Sequence, residues 1–97
     1  MSRKRAYRSK MRILADMMRA IQSEGEDGAG PTKILYAANL SHDRLTQYLD
    51  ELLEKDLIKE ANPESDNSVY FLTEKGREFL KEFVRMERFS EAFGIEI

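Results

Sequence analysis

The side chains best suited to contact a charged ligand lie in the first twenty residues, where seven basic residues accompany a single acid, Asp16. These basic residues are Arg3, Lys4, Arg5, Arg8, Lys10, Arg12 and Arg19. The segment carries a net charge of +6, and because the whole chain carries −2, the remaining residues carry −8. A basic arm on an acidic body suits nucleic-acid contact, since neutralised phosphates release counterions. A solvated leader has the same composition, so both interpretations stay open.

Residues suited to catalysis or metal binding are scarce. The chain has no cysteine and one histidine, His42, so neither a thiolate zinc site nor a Ser-His-Asp triad is expected. The carboxylate pair Asp50-Glu51 is expected on a solvated helix face without a pocket. The glycines of residues 24–30 do not match a phosphate-binding loop. We therefore expect no enzyme, no cofactor and no metal, and the sequence identifies no small-molecule effector.

The element that must position a binding surface is the stretch of residues 39–58. Its apolar residues recur at helical spacing with Tyr48 on their flank, and they are Leu45, Leu49, Leu52 and Leu53. Ser41 is placed to cap the helix, with Asp43 in the first turn. Upstream, residues 32–38 form a two-turn helix for which Thr32 is the expected cap. Only a tight turn separates the two helices, which predicts a helix-turn-helix.

The other elements complete a recognisable order. A helix over residues 10–23 has a methionine-rich apolar stripe, expected to be core, and Ser9 as its expected cap. Residues 24–30 form a loop, with a short first strand expected beside Pro31. Strands over 57–61 and 69–72 flank the turn cluster of residues 62–68, which predicts a hairpin.

Helix, helix, helix, hairpin, helix is the winged-helix order, in which the hairpin is the wing, and a plain helical bundle fits the hairpin poorly. With 97 residues we expect one mainly α domain with a small β-hairpin. Its parts are a basic flexible arm (1–8), a winged helix-turn-helix (9–72) and a C-terminal dimerisation helix (73–97).

The C-terminal helix is expected over residues 75–93, about 28 Å at 1.5 Å per residue, with Thr73 as its cap. Gly76 inside it indicates close backbone packing. Helices one and three are expected to cover Phe79, Leu80 and Phe83, but the outer half has no obvious partner within the chain. A second copy would cover it, which predicts a homodimer through Phe83, Met86, Phe89 and Phe93. The alternative is a C-terminal segment folded back on the first helix.

Several stretches carry a family resemblance: Tyr7-Arg8-Ser9, Ile13 to Asp16, Ile34 to Ser41, Leu45 to Leu53, Asp56-Leu57-Ile58, and Tyr70 to Leu80 with its Leu-Thr-Glu-Lys-Gly run. The chain resembles archaeal winged helix-turn-helix proteins. That family includes predicted transcriptional regulators and small dimeric chromatin-associated DNA-binding proteins whose last helices pair as an antiparallel coiled coil. The resemblance implies a double-stranded DNA partner and a homodimer.

The resemblance also implies which residues contact DNA, since the N-terminal half of the third helix would enter the major groove. These candidates are Ser41, His42, Arg44, Thr46 and Gln47. The candidates for phosphate contacts are Arg3, Lys4, Arg5, Arg8, Lys33 and Arg44. Two alternatives are equally open: an Arg44 that pairs with a neighbouring carboxylate, and a Lys33 that is a solvated residue without a ligand. His42 is more often incidental than a ligand.

The outermost residues of the third helix include Asp43, Asp50 and Glu54, and the wing tip carries Glu64 and Asp66. This acidity supports the alternative of a winged-helix protein interaction module without DNA binding. The chain has no run of about 18 apolar residues and no secretory signal pattern. We therefore expect no membrane partner and a cytoplasmic location, nucleoid-associated if the protein binds DNA.

Overall fold

Four α-helices and a two-stranded antiparallel hairpin make up the part of the chain that the computed structural model describes, residues 8–97. In chain order the elements are α1 (Lys10–Ser23), α2 (Pro31–Ala38), α3 (His42–Glu54), β1 (Ile58–Ala61), β2 (Val69–Leu72) and α4 (Glu74–Phe93). A short 3₁₀ turn, Gly25–Asp27, lies in the loop after α1. This order confirms the predicted winged helix-turn-helix followed by a long C-terminal helix.

Three helices begin at the hydroxyl caps that the sequence predicts. The side chains of Ser9, Ser41 and Thr73 accept hydrogen bonds from the backbone N–H groups three residues later, at 3.2, 3.2 and 2.9 Å. Such a bond satisfies one of the amides that a helix start leaves without a partner. The expected Thr32 cap is wrong: α2 begins at Pro31 after Gly30, because proline has no N–H to satisfy at the first helical position.

The core lies where α1 packs against α2, β2 and α4, and α3 contributes to it through its contacts with α2 and β1. Its largest fully buried side chains are Met17, Met18, Ile21, Ile34, Leu52 and Ile58. Burying each contributes roughly 1.5–3 kcal/mol relative to leaving it exposed. The predicted apolar stripe of α1 is core at Leu14, Met17, Met18 and Ile21, but Met11 is 46% exposed. On α3, Tyr48 is buried rather than flanking, and Leu53 is half-buried at the edge.

The hairpin is held at both ends. Ile58 pairs with Leu72 and Ala61 with Val69. Ala29, just before α2, forms an isolated bridge with Tyr70, through two N–H to carbonyl bonds of 3.0 and 2.8 Å. The expected strand beside Pro31 is therefore a single bridging residue. This bridge ties the loop after α1 to the wing.

The inner half of α4 packs against α1, as expected, but its second main partner is β2 rather than α3. A Cβ at Gly76 would lie 2.0 Å from the carbonyl oxygen of Leu57, so a larger residue cannot occupy this crossing. The predicted close packing at this glycine is confirmed. Leu80 and Phe83 are buried beneath the helix. Within residues 8–97, no helix combines the length and apolar character that crossing a bilayer requires.

Candidate nucleic-acid interface

The turn between α2 and α3 presents the start of α3 to solvent. Asn39 adopts a left-handed conformation with φ of 55°, and the N–H of Leu40 donates to the carbonyl of Leu35 at 3.0 Å. These features end α2 sharply and reverse the chain within three residues. Ser41 then caps α3 through the N–H of Arg44. The turn therefore fixes the direction in which the N-terminus of α3 points.

The side chains of this helix start lie at the surface, as the sequence predicts. We call this set the recognition face, and it consists of Ser41, His42, Arg44, Thr46 and Gln47, all exposed. Their helical positions avoid the buried stripe of Leu45, Leu49 and Leu52. Arg44 makes no ion pair with any carboxylate among residues 8–97. Its guanidinium is therefore available to a ligand.

The other predicted phosphate contacts fare differently. Arg3, Lys4 and Arg5 lie outside the described residues. Lys33 pairs with Glu24 at 3.1 Å, with its side chain 56% exposed. Such an exposed pair is weak, so a phosphate could replace the carboxylate at small cost. Lys33 thus remains a candidate, although a partially neutralised one.

Arg8, predicted as part of the basic flexible arm, is instead bonded to α1 and to the end of α2. Its guanidinium donates to Asp16 Oδ2 at 2.7 Å and to the carbonyl oxygens of Ala38 and Asn39 at 2.7 and 3.4 Å. Three intrachain acceptors occupy a group that the sequence assigned to phosphate. No periodicity could indicate this, because Asp16 and Ala38 belong to different helices.

An open cleft of about 610 Å³ lies between the start of α1 and the recognition face, and its lining includes Arg8, Lys10, Arg44, Asn39, Ser41 and Tyr48. Lys10 forms an ion pair with Glu51 at 2.7 Å. This hydrogen bond raises the pKa of Lys10 and lowers the pKa of Glu51. Sequence reasoning placed Glu51 on a solvated face, whereas its side chain is only 19% exposed. Lys10 therefore neutralises part of the acidity of α3.

Asp43, Asp50 and Glu54 remain exposed on α3, and the acidic wing-tip residues Glu64 and Asp66 are also exposed. None of these five carboxylates forms an ion pair with a cation of residues 8–97. Arg44, the one lysine or arginine within α3, lies at the N-terminal end of that helix. A polyanion would meet α3 favourably only at that end.

Sequence reasoning missed Tyr36, whose side chain is 76% exposed. It shares a small cavity of about 170 Å³ with Pro31, Thr32, Leu35, His42 and Leu45, beside the start of α3. The signal was present in the α2 pattern: Ile34 and Ala38, four residues apart, form the buried side, so Tyr36 must lie on the other. Its phenol is therefore next to the recognition face.

A second surface of different chemistry lies on the outer half of α4. Met86, Phe89 and Phe93 form what we call the apolar ridge, and they are 37%, 67% and 66% exposed. The rings of Phe89 and Phe93 lie 5.0 Å apart. Beyond them, Ile95 and Ile97 are also exposed. The alternative of a segment folded back on α1 is not observed, since α4 continues to Phe93 and leaves these rings in solvent.

Phe83, predicted at a dimer interface, is 3% exposed and belongs to the core of its own chain. Arg12 and Arg19 lie over its ring, 5.5 and 5.7 Å from the centroid. Both guanidinium groups also bind Glu87, Arg12 at 2.7 Å. Burial raises the pKa of Glu87, but the hydrogen bonds and charges of the two arginines outweigh it and hold that pKa below its ordinary value. Phe83 therefore anchors α4 to α1 beneath the ridge.

The described residues offer little to a metal ion, since residues 8–97 contain no group of three or more His, Asp or Glu side chains arranged to hold one.

A family model described as winged helix-turn-helix matches residues 7–91. The structure is similar to that of Sso10a-2, a DNA-binding protein from Sulfolobus solfataricus, with a TM-score of 0.69, 23% identity and 90% of each chain covered. No curated protein matches the sequence.

Longer proteins share the same fold. The PcaV transcriptional regulator from Streptomyces coelicolor aligns with a TM-score of 0.70 and 18% identity, over 88% of this chain and 60% of that one. A MepR mutant from a multidrug-resistant S. aureus clinical isolate aligns with a TM-score of 0.73 and 18% identity, over 81% and 58%. Because the family model spans most of the sequence and the helices and wing follow the same order, the chain belongs to the winged helix-turn-helix family.

Proposed function

We propose that this protein is a homodimeric DNA-binding protein, a transcriptional regulator or chromatin component, that inserts the N-terminal half of α3 into the major groove of double-stranded DNA. The observation that carries the proposal is the recognition face: the exposed start of the second helix of a helix-turn-helix, with an arginine, Arg44, that forms no ion pair with any carboxylate of residues 8–97. Major-groove readers of this class use the same end of the second helix of the motif. The Sulfolobus neighbour, described as DNA-binding, supports it.

Each residue of the recognition face has a contact suited to its chemistry. Arg44 would bind guanine O6 and N7, or a phosphate, and Gln47 would bind adenine N6 and N7. Ser41 accepts from the Arg44 N–H, which leaves its own hydroxyl hydrogen for a phosphate oxygen. Thr46 and His42 would contact neighbouring base edges. Arg3, Lys4, Arg5 and Lys33 are proposed as phosphate contacts on the strength of their charge.

The dimer is proposed through the apolar ridge. Met86, Phe89 and Phe93 expose a continuous apolar surface that water solvates poorly, and a second copy of α4 offers a matching one. A two-fold axis through α4 would present two recognition faces to one duplex. The family resemblance implies an antiparallel pairing of the two helices. A single subunit would leave the ridge uncovered.

Binding of mixed-sequence duplex DNA, measured by fluorescence anisotropy at about 50 and 200 mM salt, tests the proposal. We expect binding that weakens steeply across this range, since each phosphate contact releases a counterion. Selection of a preferred sequence from a random library then separates a regulator from a general chromatin protein. Absence of binding to both the mixed duplex and the library pool at low salt would contradict the DNA proposal.

The acidic residues of the same surface favour a second candidate, a protein interaction module. Asp43, Asp50 and Glu54 on α3 and the acidic wing tip would repel phosphate but attract a basic protein surface. Folds do not decide between these roles, because winged helices serve both. Binding to a lysine-rich peptide, with no binding to DNA at the same salt, would favour this candidate.

A further inference from the structure

We propose that Arg8 is a positioning residue for DNA binding, one that holds the α2–α3 turn in place rather than contacting phosphate itself. The inference rests on the proposed DNA-binding function. The positive charge of Arg8 suggests a phosphate contact, but its guanidinium is bonded at both ends to groups of its own chain.

At one end, Nη2 of Arg8 supplies hydrogen bonds to the end of α2. It donates to the carbonyl of Ala38 at 2.7 Å and to that of Asn39 at 3.4 Å. The last carbonyls of a helix have no intrahelical donor. With Arg8 in place Ala38 is fully buried, so its carbonyl takes its hydrogen bond from the guanidinium and not from water. Because a buried carbonyl without a donor is costly, Arg8 stabilises this conformation of the turn.

At the other end, Nη1 of Arg8 is anchored to α1 through Asp16 Oδ2 at 2.7 Å. Asp16 is itself held from its second oxygen by Arg19 at 3.5 Å, and Arg19 binds Glu87 on α4. The side chains of Arg8 and Asp16 are only 30% and 24% exposed. The turn is thus connected to two helices of the core through a chain of charged contacts.

Lysine cannot reproduce this arrangement. The planar guanidinium reaches a carboxylate with one nitrogen and carbonyls of another helix with the other, whereas an ammonium group is a single point of charge. A phosphate contact depends mainly on the positive charge, which lysine retains. Arg8→Lys therefore separates the two roles, and Arg8→Ala provides the comparison.

Neutralising Asp16 distinguishes the phosphate-contact role of Arg8 from the positioning role, because the two roles predict opposite changes in DNA affinity. If Arg8 contacted phosphate, Asp16→Asn would release it from its competing carboxylate and tighten DNA binding. If Arg8 positions the turn, the same change removes its anchor and weakens binding, although the protein has lost a negative charge. This variant alters no basic residue.

The experiment measures the affinity of the three variants for one duplex by fluorescence anisotropy over a range of salt concentrations. We expect Arg8→Lys and Arg8→Ala to weaken binding to a similar extent, about three- to tenfold, which lies within the range found for residues that modulate a distant site without contacting its ligand. Asp16→Asn should weaken it too, and the slope of log K against log salt should be unchanged for Arg8→Ala. Wild-type affinity in Arg8→Lys, a slope reduced by about one in Arg8→Ala, or tighter binding by Asp16→Asn would overturn the proposal.

Amide hydrogen exchange without DNA gives a readout that does not depend on the proposed function. The N–H of Leu40, bonded to the Leu35 carbonyl across the turn, should exchange faster in Arg8→Lys than in the wild type. The N–H of Tyr70, bonded to Ala29 in the wing, is the internal control and should be unaffected. Unchanged exchange at Leu40 would overturn the positioning role. If the wild type binds no DNA, the proposed function fails while this result still decides whether Arg8 holds the turn.

Discussion

The recognition face and the apolar ridge are exposed surfaces of two amphipathic helices, but their chemistry suits different partners. On α3, the side opposite the buried leucines carries polar and charged groups that water solvates well. On the outer half of α4, Phe89 and Phe93 are each about two-thirds exposed, at 67% and 66%. Leaving such rings in water forgoes the free energy of burying them. The recognition face can therefore remain exposed to water at little cost, whereas covering the apolar ridge would lower the free energy of the protein.

The supports beneath the two surfaces also differ. The start of α3 is held by a cap, a left-handed turn residue and the guanidinium of Arg8, all polar contacts with directional geometry. The ridge is held from below by Phe83, which packs in the core and lies under two arginines. Directional contacts suit a surface that must present hydrogen-bonding groups accurately. Apolar packing suits a surface that binds its partner through complementary shape alone.

The largest expected effect separates the ridge from its support. Phe83→Ala should lower the free energy of unfolding by about 3–4 kcal/mol at every protein concentration, because it empties a buried site. Phe89→Ala, the matched change at an exposed ring, should have an effect that grows with protein concentration, since only the dimer buries it. Urea unfolding of both variants over a dilution series measures this. Equal, concentration-independent losses would remove the distinction between the two phenylalanines.

Charging the ridge tests the partner assigned to it. Phe89→Glu should convert the proposed dimer to a monomer in sedimentation equilibrium, because a carboxylate buried in an apolar contact has no partner. Arg88→Glu places the same group at an exposed neighbouring position and should leave the mass unchanged. A dimer that persists in Phe89→Glu would locate the interface elsewhere.

Arg44→Ala tests the polar surface in the same way. It should weaken DNA binding by about 1–3 kcal/mol if Arg44 reads guanine, with relaxed sequence preference, or lower the salt slope by about one if it binds phosphate. Lys81→Ala, an exposed cation on α4, is the control for a general loss of charge. Anisotropy titrations at two salt concentrations distinguish these cases. Affinity equal to that of the control variant would exclude Arg44 from the interface.

The smallest expected effect concerns the polar contact beneath α4. Glu87→Gln should lower the free energy of unfolding by about 1 kcal/mol at neutral pH, since two arginines lose their carboxylate. The pKa of Glu87 lies below the ordinary value of a glutamate, so the stabilisation is present at neutral pH and is lost as pH falls below that ordinary value and through the folded pKa. Urea unfolding of both proteins at neutral and acidic pH should show the difference shrinking. A difference independent of pH would indicate a packing effect instead.

Much of the fold could be predicted because its signals are local. Ser9, Ser41 and Thr73 act on amides three residues away, and the leucine stripe of α3 shows its period directly. The prediction of a Thr32 cap was wrong because α2 begins one residue earlier, at Pro31, which has no N–H that needs a cap. The packing of α4 against β2 was missed because periodicity identifies a buried face without naming the element that covers it.

The candidate site was predicted in outline and corrected in detail. The exposed residues of the recognition face follow from helical geometry, and Tyr36 could have been found by the same reasoning applied to α2. The basic residues could not be sorted in this way. Arg8, Lys10, Lys33 and Arg44 look equivalent in the sequence, yet the first three are paired within the chain.

The sequence by itself determined the order of helices and wing, the ends of most helices, and the apolar character of the outer half of α4. These properties depend on residues within one or two helical turns of each other. Only the tertiary structure decided which cations are free, because two of the acceptors that occupy them, the Ala38 carbonyl for Arg8 and the Glu51 carboxylate for Lys10, are distant in sequence and belong to other helices. It also decided that Phe83 lies inside and Phe89 outside, since the position of α1 along α4 determines where the core ends.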